Sequence, residues 1–122
     1  MTTKVQKLYR LSIIKPDGSI THTVQPKQFT LQQRQAAVGG SIENVGYFKR
    51  FEGKRVAFAW ANGDEYAKRL PYNAYASRMW AAQYGYATTL VGNIAIETRV
   101  TPEEAQATDP QAVVKREVAD AR

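Results

Sequence analysis

Cysteine is absent from this 122-residue chain, which excludes disulfides, thiolate nucleophiles and cysteine-ligated zinc or iron–sulfur centres. The absence also fits a reducing compartment. Histidine occurs once, as His22. No metal-ligand spacing is present, and neither a metal nor a cofactor is expected. Long apolar runs are missing as well. No stretch is of spanning length and no apolar segment follows Met1, so neither membrane insertion nor secretion is expected.

Recognisable catalytic sequences are scarce too. No serine lies in a nucleophile elbow. Val38-Gly39-Gly40-Ser41 lacks the Gly-Lys-Ser/Thr ending of a phosphate loop, and it follows a helix where such loops precede one. His22, between Thr21 and Thr23, reads as a half-exposed strand residue. Asp64 and Glu65 are adjacent carboxylates after an Asn-Gly turn and read as a solvated hairpin tip. With no convergent acid, base or metal set, catalysis is not expected.

What is present suits one domain: 43% hydrophobic and 23% charged residues, with length enough for a modest core. Alternation places Tyr9, Leu11 and Ile13 on one strand face, with Arg10 and Ser12 on the other. A turn at Lys15-Pro16-Asp17-Gly18 leads to a second strand carrying Ile20 and Val24. Thr30 caps a helix over 31–38, with Leu31, Gln35 and Val38 on one face, and Gly39-Gly40 ends it. Strands over 42–48 and 55–61 are joined across Phe51-Glu52-Gly53. In the second, Val56, Phe58 and Trp60 alternate with Ala57, Ala59 and Ala61, the pattern of a strand covered on both faces. Asn73 caps a helix through Gln83 with Ala76, Met79, Trp80 and Gln83 as its buried stripe, and Gly85 ends it. The last strand is expected over 88–97, with Leu90, Ile94 and Ile96 facing one way and Val91-Gly92-Asn93 inside it.

The order β-β-α-β-β-α-β predicts an α+β fold on a mainly antiparallel sheet packed with two helices over residues 1–100. A peripheral, helical and partly flexible tail follows over 101–122. Helix starts are expected there at Thr101-Pro102 and Asp109-Pro110, with Glu103 and Glu104 as favourable charges near a helix N-terminus. The thin stripe of Ala105, Ala107, Ala112, Val113, Val114, Val118 and Ala119 offers a contact for a second subunit, so a homo-oligomer is among the expected states.

The net charge is +6. Residues 1–60 carry ten lysines and arginines against Asp17, Glu43 and Glu52, whereas residues 101–122 carry three against five acids. A basic body suits nucleic acid or a nucleotide. One cluster carries that chemistry most densely: Tyr47-Phe48-Lys49-Arg50-Phe51-Glu52-Gly53-Lys54-Arg55. Cations neutralise phosphates, and rings stack on bases without demanding a sequence. A second set comprises Tyr66, Tyr72, Tyr75, Tyr84 and Tyr86 with Lys68, Arg69 and Arg78. The expected ligand-binding residues are Lys49, Arg50, Phe51, Lys54, Arg55, Arg69, Tyr72, Tyr75 and Arg78.

The helix ending in Val38-Gly39-Gly40 before Ile42-Glu43, the Asn62-Gly63 turn, Leu70-Pro71-Tyr72-Asn73 and Val91-Gly92-Asn93-Ile94 follow one another in an order that resembles domain-of-unknown-function family 3846. The resemblance covers about residues 13–97 and leaves the tail outside. It implies a phage or plasmid origin, a bacterial host cytoplasm and an accessory role, with no activity attached. The basic tip, the Tyr/Trp-rich helix and the acidic tail depart from the family pattern. Within the motif, Pro71 and Asn73 read as fold-specifying residues.

Together these features predict a non-enzymatic protein that binds a phosphate-bearing ligand, either a signalling nucleotide or single-stranded nucleic acid, and so counters host defence. The alternative is a protein–protein inhibitor docking on a host enzyme.

Overall fold

Apolar–polar alternation across a tight turn makes the first two strands a hairpin. The computed structural model describes residues 7–45, 48–85 and 87–107. In it Leu8–Ile14 (β1) and Ile20–Gln25 (β2) pair antiparallel from Tyr9↔Gln25 to Ile14↔Ile20. Asp17 closes the turn by accepting from the Ser19 amide and hydroxyl at 2.8 and 2.6 Å. Tyr47, Tyr86 and the second helix start at Asp109-Pro110, with the apolar stripe beyond it, lie outside the described residues.

Leu31–Val38 (α1) begins with a reciprocal capping box, in which Thr30 accepts from the Gln33 amide and Gln33 accepts from the Thr30 amide, satisfying two otherwise unpaired donors. Its buried face differs from the expectation. Ala37 and Val38 are buried while Leu31 is 55% exposed, because the sheet meets the face bearing Arg34, Ala37 and Val38.

The strands expected over 42–48 and 55–61 are three. Ile42–Asn44 (β3) is short, Arg50–Phe51 (β4) forms a separate two-residue strand, and Lys54–Asn62 (β5) pairs with both. Glu52 (φ +51) and Gly53 (φ +79) form the β4–β5 turn, two left-handed residues as a tight type I′ hairpin requires. A register shift between Val56 and Phe58 puts Val56 on the same face as Ala59 and Ala61. The simple alternation read from Val56 through Trp60 therefore fails at that bulge. Nor is β5 covered on both faces throughout, since Phe58 is 39% exposed.

A 3-10 helix over Glu65–Arg69 leads to Ala74–Tyr84 (α2), capped as expected by Asn73, whose side chain accepts from the Ala76 amide at 3.0 Å. The final strand, Ile94–Val100 (β6), starts and ends later than expected. Gly92 holds φ +70 ahead of it, and a Cβ there would meet Leu70 Cδ1 at 2.7 Å. Val91 instead bridges Tyr72 outside the strand. Pro102–Ala107 (α3) follows, with Thr101 and Glu104 exchanging amide bonds as a cap. It buries Ala105 and packs on β1 and β6.

The result is an α+β fold with six strands and three α-helices among the described residues. Strand order is β2-β1-β6-β5-β3, with β4 paired to β5, and all pairings are antiparallel. Central β6 is buried at every position but Arg99. On one face Ile14, Ala59, Ala61, Ile94 and Ile96 pack with Phe48, Phe51 and α2 residues Ala76, Met79 and Trp80. On the other, Leu11, Phe29 and Ala95 pack with Ala37 and Val38 of α1. Burying each large side chain contributes about 1.5–3 kcal/mol. Among the described residues no helix is long and apolar enough to cross a membrane.

Candidate functional site

Eight of the nine expected binding residues separate into three places, and the ninth, Phe51, lies in the core. Lys49 and Arg50 lie at the C-terminal end of α2, where Gln83 accepts from both their amides and donates to the Arg50 carbonyl. The Lys49 ammonium sits 5.4 Å from the Tyr84 ring centroid. Arg69, Tyr72, Tyr75 and Arg78 are exposed around the opposite, N-terminal end of α2. Lys54 and Arg55 belong to the sheet end, beside α3.

Phe51 does not present its ring to a ligand. It is 2% exposed, since alternation along β4 turns Arg50 outward and Phe51 into the core. Tyr66 and Tyr84 likewise serve the fold: the Tyr66 hydroxyl donates to the Gly39 carbonyl at 2.9 Å, and the Tyr84 ring packs 4.5 Å from that of Trp80. Asp64 is solvent-accessible as expected, but it heads the 3-10 helix and is not a hairpin tip. It accepts from the Ser41 hydroxyl at 2.6 Å, and that bond holds its carboxyl below the usual value. Pro71 and Asn73 are structural as expected. Asn73 is fully buried, donates to the Ile14 and Gly92 carbonyls at 2.9 Å each, and its amide reaches Leu90.

Polar groups are buried on both sheet faces. Under the β4–β5 turn, Arg10 is 1% exposed; its Nε donates to Thr98 Oγ1 at 3.1 Å and Nη1 to Glu52 Oε2 at 3.3 Å. Burial lowers its pKa, and Glu52 opposes that effect. His22, expected half-exposed, is 6% exposed. Its Nδ1 is 2.7 Å from Ser12 Oγ, and its Nε2 is 3.8 Å from Glu52 Oε1. Ser12 is fully buried, and 3.8 Å between His22 Nε2 and Glu52 Oε1 is longer than a hydrogen bond, so these three side chains do not make the hydrogen-bonded chain of a serine–histidine–acid relay. On the other face Glu97 is 3% exposed and accepts from Arg34 Nε and Nη2 at 2.6 and 2.8 Å and from Trp60 Nε1 at 2.6 Å.

An open groove of about 450 Å3 runs across the sheet end on that second face, lined by Lys7, Lys54, Arg55, Arg99, Thr101 and Glu104 among others. Its volume falls within the roughly 300–1,000 Å3 of small-ligand sites. Lys54 is ion-paired with Glu104. Lys7, Arg55 and Arg99 are exposed and make no ion pair among the described residues. The pairing Val56↔Thr98 sets Arg55 and Arg99 beside each other in register, and both point away from the face that buries Val56 and Thr98. The Arg99 guanidinium lies 4.1 Å from the ring centroid of Tyr9, its partner across β1 and β6.

Lys7, Tyr9, Phe58 and Arg99 were not among the expected site residues. Tyr9 was correctly placed on the face of Leu11 and Ile13, but no local signal says which strand lies beside it. With the last strand expected to stop at Glu97, Arg99 fell outside the sheet altogether.

No protein-family model matches the chain, and searches of curated proteins and of solved structures likewise return no match.

Proposed function

We propose that the protein is a non-enzymatic accessory protein of a phage or plasmid that binds a phosphate-bearing ligand in the groove of Lys7, Lys54, Arg55 and Arg99, and in doing so counters host defence. The observation that carries the binding proposal is the set of three cations there without an ion pair among the described residues. Cations confined on a concave surface focus positive potential and draw anions. Arginine forks match phosphate oxygens. The phage or plasmid setting and the bacterial cytoplasm rest on the resemblance to family 3846 and belong to the same proposal. Ligand classes are a signalling nucleotide or single-stranded nucleic acid.

Native mass spectrometry of protein purified from bacteria with active nucleotide signalling, followed by calorimetric titration with the recovered ligand, tests this reading. The double variant Arg55→Glu/Arg99→Glu is expected to lose the ligand while keeping its thermal midpoint, because both side chains are exposed. Unchanged affinity in that variant overturns the assignment.

A second reading, an inhibitor docking on a host enzyme, draws on Tyr72 and Tyr75, exposed by 53% and 42% beside Arg69 and Arg78. Exposed tyrosines with arginine neighbours suit protein interfaces. It requires that Tyr72→Ala/Tyr75→Ala abolish inhibition of that enzyme and leave anion binding intact.

A further inference from the structure

We infer that the ligand of the basic groove is a single-stranded nucleic acid that runs from the groove along the open sheet face and stacks a base on Phe58. The inference rests on the phosphate-binding reading above and adds the ligand class. Arg55, Phe58 and Arg99 share the sheet face on which α1 packs, where Arg34 of α1 reaches the Phe58 ring at the margin of the covered area and all three side chains are exposed. Phe58 pairs with Glu97, two residues from Arg99 on the same strand, so the strand positions of Phe58 and Arg99 are about 7 Å apart along the strand direction. Together with Lys7, Tyr9 and Ala57 they make a strip with cations at one end and an aromatic ring at the other.

Phe58 is the informative member. At 39% exposure it has no polar atom to account for its place at the surface, as the exposed tyrosines do. It is also held firmly. Trp60 stacks on it with centroids 5.6 Å apart and planes 20° apart. The Arg34 guanidinium lies 5.5 Å from its centroid and is itself fixed by both oxygens of Glu97. A fixed, exposed ring loses little freedom on stacking against a base. Arg99, laid against Tyr9, adds a second planar group, since guanidinium planes also stack on bases.

The same strip fits an isolated nucleotide poorly. Phosphate at Lys7 and Arg55 would leave one base to choose between two separated planar groups. A strand places phosphates on the cations and bases on both planes at once. The stacking is indifferent to base identity, so the binding has little sequence preference.

Fluorescence anisotropy with labelled oligothymidylate of about a dozen nucleotides, the scale of one single-strand site, tests the inference, with thymidine monophosphate and a duplex of equal length as competitors. Oligothymidylate is expected to bind with a salt slope of about −1.4, from the two phosphate contacts at Lys7 and Arg55 at about −0.7 each. It should outlast competition by both. Phe58→Ala is expected to weaken it roughly 5- to 150-fold, the loss of one base stack, with the salt slope unchanged. Arg55→Glu should reduce the slope by about one phosphate contact. Phe58→Leu, which retains apolar bulk, separates stacking from packing and is expected to weaken binding as well.

Duplex bound as tightly as the single strand, or Phe58→Ala binding at full strength, overturns the inference. Monophosphate binding that Arg55→Glu/Arg99→Glu abolishes, with no oligonucleotide binding, also overturns it while leaving the phosphate reading standing. Failure of every nucleotide and oligonucleotide to bind removes both.

Discussion

Glu52 answers two opposed requirements. Its backbone takes φ +51, a conformation that asparagine or glycine adopts at less cost. Its carboxylate is the only one that Arg10 meets among the described residues, and removing one partner of a buried ion pair leaves an uncompensated charge. Glu52→Asn therefore separates the two effects. It suits the turn better, yet it is expected to lower unfolding free energy by about 1–3 kcal/mol, discounted from the buried-pair range because Glu52 is partly exposed. Urea denaturation reads the change, and a stability gain would contradict the assigned role. Asp64 makes a pH-dependent contribution. Its folded pKa is depressed by the Ser41 bond, so its stabilisation is present above the unfolded carboxylate value of about 4 and is lost as pH falls through the folded value. Asp64→Asn should flatten that part of the acid limb of a stability–pH curve. Neither role was legible in sequence. Arg10 and Ser12 alternate correctly with Tyr9 and Leu11, but alternation reports a face and not its cover. Only the return of the β4–β5 turn over that face buries Arg10 and His22 there.

At the scale of elements, helices were the legible part because their signals are local. Thr30, Asn73 and Gly85 act within one turn of the ends they mark. Asn73→Ala is expected to cost about 2–3 kcal/mol, near 1 for the cap and the rest for buried carbonyls of Ile14 and Gly92 left short of a donor. Strands were less legible where pairing is non-local. The break between β3 and β4, the bulge before Phe58 and the extension of β6 to Val100 all depend on partners distant in sequence. The basic–aromatic tip shows the consequence for function. Phe51 belongs to its composition but not to its surface. Phe51→Ala is expected to cost about 3–5 kcal/mol in thermal or urea unfolding without lowering intrinsic affinity for an anionic ligand under conditions where the variant is folded. A stable variant with lost affinity would reinstate Phe51 as a binding residue.

For the molecule as a whole, the surplus of cations raises the expectation of an anionic partner but does not say where one would sit, because net charge carries no geometry. The fold distributes those cations unevenly. Lys54 is paired with Glu104, Arg34 with Glu97 and Arg10 with Glu52, while Lys7, Arg55 and Arg99 meet at one sheet end. Three stretches remote in sequence converge there, the residue before β1, the start of β5 and the end of β6, so only two of the nine expected residues lie on the groove. Amide NMR spectra recorded during titration with oligothymidylate test this localisation most directly. The account predicts shifts concentrated at Lys7, Tyr9, Arg55, Ala57, Phe58, Arg99 and Thr101. Shifts centred instead on Lys49, Arg50 and Gln83, or on Tyr72 and Tyr75, would contradict it.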